Sequence, residues 1–378
     1  MEREAGTGNR DVVTINGKRY HRSRDWIVDA KGQRERKITY GKTLAELDRK
    51  VKRLLDTPAQ NREAAKLTVE RYFLDRFLPG TKSTIRPATY ASYENAVNTR
   101  IVPGIGKARF ASLTPDNVRA WMAEMKKKDE GVRSDQIAVA ILKRGYNRAL
   151  EDGLLTLNPI GHVKLPKAEM REQYILNLKE TIHFLRTIRL SKTDAEWFPF
   201  IYCAVSLGMR ESELFGLMWD KVDLANHRIK VFEQCGPLDD GKTLGQVPVK
   251  TASSKRTLYL DRATERAFGM QEGKSKTLVF PNTADRYLLK RTLNATVFPR
   301  LLKQADLPTD GTIWFHLLRH VASSLLTNED VATPKIDKWM GHTTDGIAGK
   351  YIRLRDEDLE KIAGTMGRLL RPVWSGKG

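Results

Sequence analysis

With 378 residues the chain is long enough for two or three domains, each with its own core, and its 66 Lys and Arg against 46 Asp and Glu leave a formal charge of +20. Such a cationic excess suits a polyanion, nucleic acid being the commonest, and the clustering of basic residues beside aromatics argues against a merely soluble basic protein. Two cysteines, Cys203 and Cys235, lie outside any paired-ligand spacing, which excludes a disulfide framework and a structural zinc site. No apolar run approaches membrane-spanning length and MEREAGTGNRD holds no signal-peptide core, so a cytoplasmic, DNA-associated protein is expected.

Residues 1–62 read as a separate module. GKRYHRSRDWIVDAKGQRERKITYG alternates bulky and charged residues and is broken at Gly17 and at the turn from Asp29 to Gly32, which predicts a hairpin or three-stranded sheet. Thr43-Leu-Ala-Glu46 reads as a capping box opening a helix with Leu44, Leu47, Val51, Leu54 and Leu55 on one face, stopping at Asp56-Thr57-Pro58. The sheet carries Arg19, Arg22, Arg24, Arg34, Arg36 and Lys37 beside Tyr20 and Trp26, a composition that suits a DNA groove. An ordinary sheet with a solvated charged face fits the same residues equally well, and residue types alone do not separate the two.

After the polar linker NREAAK, residues 67–160 are helical by period. Helices are predicted from Leu67 to Phe77 and from Ala88 to Ile101, the glycines of PGIGK ending the second. Thr114-Pro115 caps a third, DNVRAWMAEMKKK, and Ser134 opens a fourth that Asp152-Gly153 closes. Arg86, Arg100, Lys107, Lys126, Lys143 and Arg144 are expected on the surface of this bundle, where they suit phosphate contacts that position a duplex without reading its sequence. A solvated surface explains the same charges.

Residues 161–172, with Pro166 and a run of charges, read as the linker to a third domain, 173–378. Leu178 to Arg189 is an amphipathic helix and Trp197 to Leu207 an apolar, buried one. SLGMRESELFGLMWDKVDL is a glycine turn followed by a helix with Arg210 and Glu213 one turn apart. HRIKVFEQ and VPVKTASSKRTLYL read as strands pairing in one small sheet, with Lys250 and Lys255 flanking the turn TASS. The whole predicts a multidomain, mainly α fold with small antiparallel β-sheets, an α+β chain.

The most informative stretch comes late. In TIWFHLLRHVASSLL, His316, Arg319 and His320 fall at i, i+3 and i+4 of an apolar run and share one helix face, an arrangement that suits an anion. KWMGHTTDGIAGKY places His342 after a glycine and Tyr351, an oxygen nucleophile, nine positions on. His316 and His320 alone would make a metal pair, but Arg319 between them repels a cation and no carboxylate accompanies them. No metal and no cofactor are expected. Beyond Tyr351, Leu359, Ile362, Met366, Leu369, Leu370 and Val373 fall at helical spacing, an amphipathic helix that needs an apolar groove on its own domain or on a neighbour.

With LGMRESELFGLMWDKVDL, VPVKTASSKRTLYL, HLLRH, MGHTT and GKYIRLR in this order, the third domain resembles the tyrosine recombinases, specifically phage-type integrases. The first two domains resemble, less specifically, that family's arm-binding and core-binding domains. The resemblance implies a site-specific recombinase that cleaves and rejoins DNA through a covalent 3′-phosphotyrosyl intermediate, integrating or excising a phage or other mobile element. It implies double-stranded DNA at core and arm-type sites, a homotetramer on that DNA, and an accessory bending or excision factor as a further possible partner. Cutting a phosphodiester without metal requires fixed donors for the charge developing on the phosphoryl oxygens, and guanidinium presents a matching planar fork, the role of Arg210 and Arg319. By resemblance His316 and His342 add hydrogen bonds, Lys250 protonates the leaving 5′ oxygen and Tyr351 attacks, while Glu213 braces the cations from behind. Lys255 and Arg256 compete with Lys250 for its role, and His320 is taken for a buried structural histidine. Leu317 departs from the family pattern, in which an acidic residue is common after the histidine. The tail helix is expected to dock in trans. Two alternatives share the fold: a type IB topoisomerase-like relaxing enzyme, which the arm-like module disfavours, and a non-catalytic DNA-binding accessory or regulatory protein, which the filled catalytic positions disfavour.

Overall fold

The computed structural model describes residues 9–28, 34–56, 66–128, 131–155, 157–166, 172–342 and 355–375. The chain divides into two compact units, Met1–Glu169 and Met170–Gly378, so the first predicted module and the helical bundle fall in one unit. The bundle's hydrophobic cluster gathers residues between Val69 and Val163 and includes neither Leu47 nor Val51.

In the first unit β1 (Asn9–Ile15), β2 (Lys18–Val28) and β3 (Arg34–Gly41) form an antiparallel sheet in that order. Asn16 and Gly17 both take positive φ, the geometry that lets a two-residue turn follow the strand twist. The turn predicted at Asp29 to Gly32 lies outside the described residues. Helix α1 (Leu44–Asp56) opens as expected, the Glu46 N–H donating to Thr43 Oγ1 at 3.2 Å, but the Glu46 carboxylate reaches back to the N–H of Lys42 rather than of Thr43. Leu47 and Val51 are buried, whereas Leu44 is exposed, because its position at the first turn precedes the packed face.

The bundle consists of α2 (residues 69–82), α3 (residues 87–105), α4 (Pro115–Lys128) and α5 (Val132–Glu151). The first two run past the ends predicted at Phe77 and Ile101. Each contains a π-helical turn, Phe73–Phe77 and Val97–Ile101, in which the N–H of Leu78 or Val102 donates five residues back, to Phe73 or Val97. Pro79 and Pro103 follow directly. A proline inside a helix lacks an N–H and strikes the carbonyl four residues before it; the widened turn takes up both faults, so the helix continues. Leu293–Val297 stands in the same relation to Pro299. Thr114 caps α4 as expected, accepting from the N–H of Asn117 at 3.2 Å.

The second unit is built on α6 (Leu178–Leu190), α7 (Phe198–Leu207), α8 (Glu211–Phe215), α9 (Arg262–Gly269), α10 (residues 290–304), α11 (Leu317–Asn328), α12 (Thr333–Met340) and α13 (Asp356–Trp374). Every residue of α7 is buried, which makes it the spine of the core. The strands form two sheets rather than the one expected: β4 (Val222–Asp223), β5 (Arg228–Val231) and β8 (Arg256–Tyr259) in one, β6 (Glu233–Pro237) and β7 (Leu244–Pro248) in the other. Helix α13 packs in cis. Its Ile362, Ala363, Met366, Leu370 and Val373 enter the core of their own unit, and Trp374 meets Phe198 and Tyr202 edge-on at 5.1 and 5.4 Å. An amphipathic pattern is the same for either partner, and in this single chain the groove beside α7 takes it. Among the described residues no helix is long and apolar enough to cross a membrane.

Candidate active site

Two left-handed glycines place the cationic groups. Gly208 (φ 59) ends α7 and sends the chain into Arg210, the residue that precedes α8; a Cβ there would lie 2.6 Å from the Met340 sulfur. Gly341 (φ 69) ends α12 ahead of His342, and a Cβ there would press Arg256 Nη1 and Ser254 Cα at 3.1 Å.

Between these turns lies a buried network. Arg210 Nη1 donates to Glu213 Oε1 at 2.8 Å and to Ser254 Oγ at 3.1 Å, its Nη2 donates to the Gly341 carbonyl at 3.0 Å, and its backbone N–H donates to Glu213 Oε2 at 2.9 Å. Arg256 grips the same carboxylate from the other side, Nη2 to Oε2 at 2.8 Å and Nη1 to Oε1 at 3.1 Å. Burial alone would raise the Glu213 carboxyl; Arg256 and then Arg210 outweigh it and bring it down to about 2. Glu213 thus binds both Arg210 and Arg256, and Arg256, which the sequence offers as a competitor of Lys250, is its principal partner.

Arg319, on α11 and only 4% exposed, donates to the Gly208 carbonyl at 2.6 Å and to the Met340 carbonyl, so it ties together the two turns that frame the site. Burial, then Arg210 and Arg256, hold its guanidinium down to about 9, with Glu213 opposing; it remains charged at neutral pH. Among the described residues, three arginines around one carboxylate leave the site short of negative charge. A guanidinium carries five N–H groups; the side-chain bonds above occupy three on Arg210 and two on Arg319, and Arg210 keeps 26% of its side chain open. The vacant donors and the charge imbalance together define an anion site.

His316 precedes α11 beside these arginines. Although its ring reaches solvent, burial first, and then Arg319, His320 and Arg210, press it down to about 4, so at neutral pH it offers a neutral N–H. His342 shares its Nδ1 with Asp337 Oδ1 at 3.1 Å, which orients the ring. Asp337 was not singled out in the sequence, since nothing local ties it to His342 beyond the i, i+5 spacing across the α12 end. Leu317 is buried, as its apolar neighbours imply. His320 is exposed rather than buried and sets its ring edge-on to His316 at 5.7 Å; the i+4 step kept it on the open face of α11. Lys250 is exposed on the bend between β7 and the turn Ala252–Ser254. Tyr351 lies outside the described residues.

An anion at this site should lift His316 towards its ordinary range. DNA binding below pH 6.5 is then accompanied by proton uptake, and affinity rises as pH falls from 6.5 towards 4. Comparing wild type with His316→Gln at constant salt checks this; the variant should show a flatter pH dependence, and identical slopes would remove His316 from the phosphate.

The nominated DNA-contacting residues of the first unit divide. The register pairs Arg22 with Asp11 and with Tyr40, and Trp26 with Arg36, which puts Arg22, Arg24 and Arg36 on one face; Arg19 and Lys37 alternate to the other. Arg22 and Arg24 both engage Asp11, at 2.8 and 3.0 Å, so part of the basic face is neutralised within the sheet. The side chains of Trp26 and Arg34 lie outside those described. In the bundle, Arg144 stands over the Tyr93 ring at 5.8 Å and lines a groove of about 770 Å³ with Lys143 and Arg148, while Arg86 immediately precedes α3. Arg100 is not the surface cation expected: it pairs with Asp135 at 3.0 Å with both side chains nearly buried.

The chain matches the phage integrase family over residues 175–358 and that family's N-terminal SAM-like domain over residues 71–126. It is 27% identical over 339 residues to an integrase of Mycobacterium phage FRAT1, covering 84% of this chain and 96% of that protein. It is 23% identical over 364 residues to a tyrosine recombinase XerC-like protein of Caldanaerobacter subterraneus, covering 88% of this chain and 91% of that one. In structure it is similar to the Tn1549 transposon integrase solved with transposon right end DNA (TM-score 0.65, 19% identity, 80% of this chain and 99% of that one). It is also similar to a lambda integrase tetramer bound to a Holliday junction (TM-score 0.57, 16% identity, 94% and 99%). The chain belongs to the phage integrase family: it is a site-specific tyrosine recombinase, an enzyme that breaks and rejoins DNA strands.

Proposed function

We propose that this recombinase cuts double-stranded DNA with Tyr351 as nucleophile and integrates or excises a phage or other mobile element, and the observation that carries the reading is the anion site built on Arg210 and Arg319. The two guanidiniums meet the non-bridging oxygens of the scissile phosphate, their forks held in advance by Glu213, Gly208, Gly341 and Met340. His316 and His342 add N–H donors. A free phenol ionises near pH 10, and the surrounding cations favour its phenolate. As the bond from the Tyr351 oxygen to phosphorus forms, the bond to the 5′ oxygen breaks and Lys250 delivers that oxygen its proton. The phosphotyrosyl ester retains the energy of the cut linkage, so the 5′ hydroxyl of a second DNA end displaces the tyrosine without a cofactor.

The division of labour follows from the same reading. Residues 67–160, with Arg86 and Arg144, hold core DNA; residues 1–62, with Arg22, Arg24 and Arg36 on one sheet face and Arg19 and Lys37 on the other, take a second class of site; and four copies assemble around two duplexes. Strand exchange between two labelled duplexes tests it. The full chain should join them, and a chain lacking residues 1–62 should still cut the crossover site but join poorly. Relaxation without joining would reduce the enzyme to a topoisomerase, and undiminished joining by the shortened chain would remove the second site class.

A further inference from the structure

Ser254 occupies the point at which every part of the anion site meets. Its side chain is buried, and its hydroxyl accepts from Arg210 Nη1 at 3.1 Å while sharing a hydrogen with Thr251 Oγ1 at 2.8 Å. Its carbonyl accepts from Arg256 Nη1 at 3.1 Å, and Arg256 holds Glu213, which holds Arg210. The result is a closed ring of hydrogen bonds, Arg210 to Ser254 to Arg256 to Glu213 and back. The backbone adds a second tie, since the Ser254 N–H donates to the Thr251 carbonyl at 3.0 Å. Thr251 directly follows Lys250 in the chain. The bend that carries Lys250 is therefore anchored through Thr251 and Ser254 to the guanidinium that faces the phosphate.

We propose that Ser254 is a positioning residue that fixes Lys250 relative to Arg210, so that the proton reaching the leaving oxygen and the clamp on the phosphate are set by one hydrogen-bonded unit. This rests on the roles proposed above for Lys250 and Arg210. Removing the hydroxyl leaves Arg210 its bonds to Glu213 and Gly341, so the clamp stays, while the Thr251 hydroxyl is left with Ser253 Oγ at 2.9 Å and the Lys250 bend, still tied by the Ser254 N–H to the Thr251 carbonyl, loses its side-chain link to Arg210. A misplacement of about 1 Å in a catalytic group costs on the order of a hundredfold in rate.

The test compares single-turnover cleavage of two DNA substrates by wild type, Ser254→Ala, Ser254→Thr, Lys250→Ala and Arg210→Ala. One substrate has the natural 5′ oxygen at the scissile position; the other has sulfur there, a leaving group that departs without a proton. Ser254→Ala should cleave the oxygen substrate on the order of a hundredfold slower than wild type, with unchanged DNA affinity, and regain near-normal rates on the sulfur substrate together with Lys250→Ala. Arg210→Ala should stay slow on both, and Ser254→Thr, which keeps the hydroxyl, should stay near wild type on both. If Lys250→Ala recovers on sulfur and Ser254→Ala does not, Ser254 acts only through Arg210 and the proposal fails. Normal cleavage of both substrates by Ser254→Ala overturns it as well. If Lys250→Ala itself fails to recover, the proton-donor role of Lys250 falls first and the proposal with it.

Discussion

Arg210→Lys and Arg319→Lys should each slow strand cleavage on the order of a hundred- to a thousandfold although charge is conserved, the loss typical of one transition-state donor. The reason is directional. Arg319 spends two N–H groups on the Gly208 and Met340 carbonyls, one at each framing turn, and must present others to phosphate at the same time. An ammonium offers three donors from one nitrogen and cannot span both carbonyls and an anion. Arg210 is bound the same way, to Glu213, Ser254 and Gly341. Equilibrium binding to long DNA should fall far less, because the remaining phosphate contacts dominate affinity. Single-turnover rates beside salt-matched binding separate the two effects; near-normal cleavage in both variants would mean that these arginines do not hold the scissile phosphate.

Glu213→Ala should be the most destabilising change near the site, by about 3–5 kcal/mol, the usual cost of breaking a buried ion pair by removing one partner. Arg256 is buried beside it and would keep its charge with its bidentate partner gone. The pH dependence has a definite sign. The carboxyl is lowered to about 2 in the folded chain from its ordinary 4.5, so its contribution is complete above pH 4.5 and is lost as pH falls towards 2. Denaturant melts of wild type and Glu213→Ala should therefore differ at pH 7 and converge in acid. Equal midpoints at pH 7 would show that the pair contributes nothing net. Cleavage should fall with stability, because the same carboxylate orients Arg210.

The site was legible in the sequence where its logic is local. Gly208 and Gly341 announce left-handed turns, the i, i+3 step places His316 beside Arg319, and the one-turn separation puts Glu213 under Arg210. What stayed hidden is long-range: Arg210 meets Ser254 across 44 residues and Gly341 across 131, and no periodicity reports such pairs. Arg256 was visible as a cation but not as the partner of Glu213, since its strand register decides which way it points. The helical boundaries failed at Pro79 and Pro103 because proline reads as a stop unless a π turn precedes it, and FLDRFLP and VNTRIVP show the spacing that permits it. The basic sheet was right as a set of strands, yet composition could not show that Asp11 would engage Arg22 and Arg24.

The central claim is that Tyr351 forms the covalent bond to DNA, and locating that bond tests it most directly. Nicked suicide DNA carrying the crossover site traps the adduct, and proteolysis followed by mass spectrometry of the nucleotide-bearing peptide identifies the residue. The account predicts a 3′-phosphotyrosyl linkage at Tyr351 and no adduct from Tyr351→Phe, which should still bind the site. A nucleotide on any other residue, or an undiminished adduct in Tyr351→Phe, would contradict it.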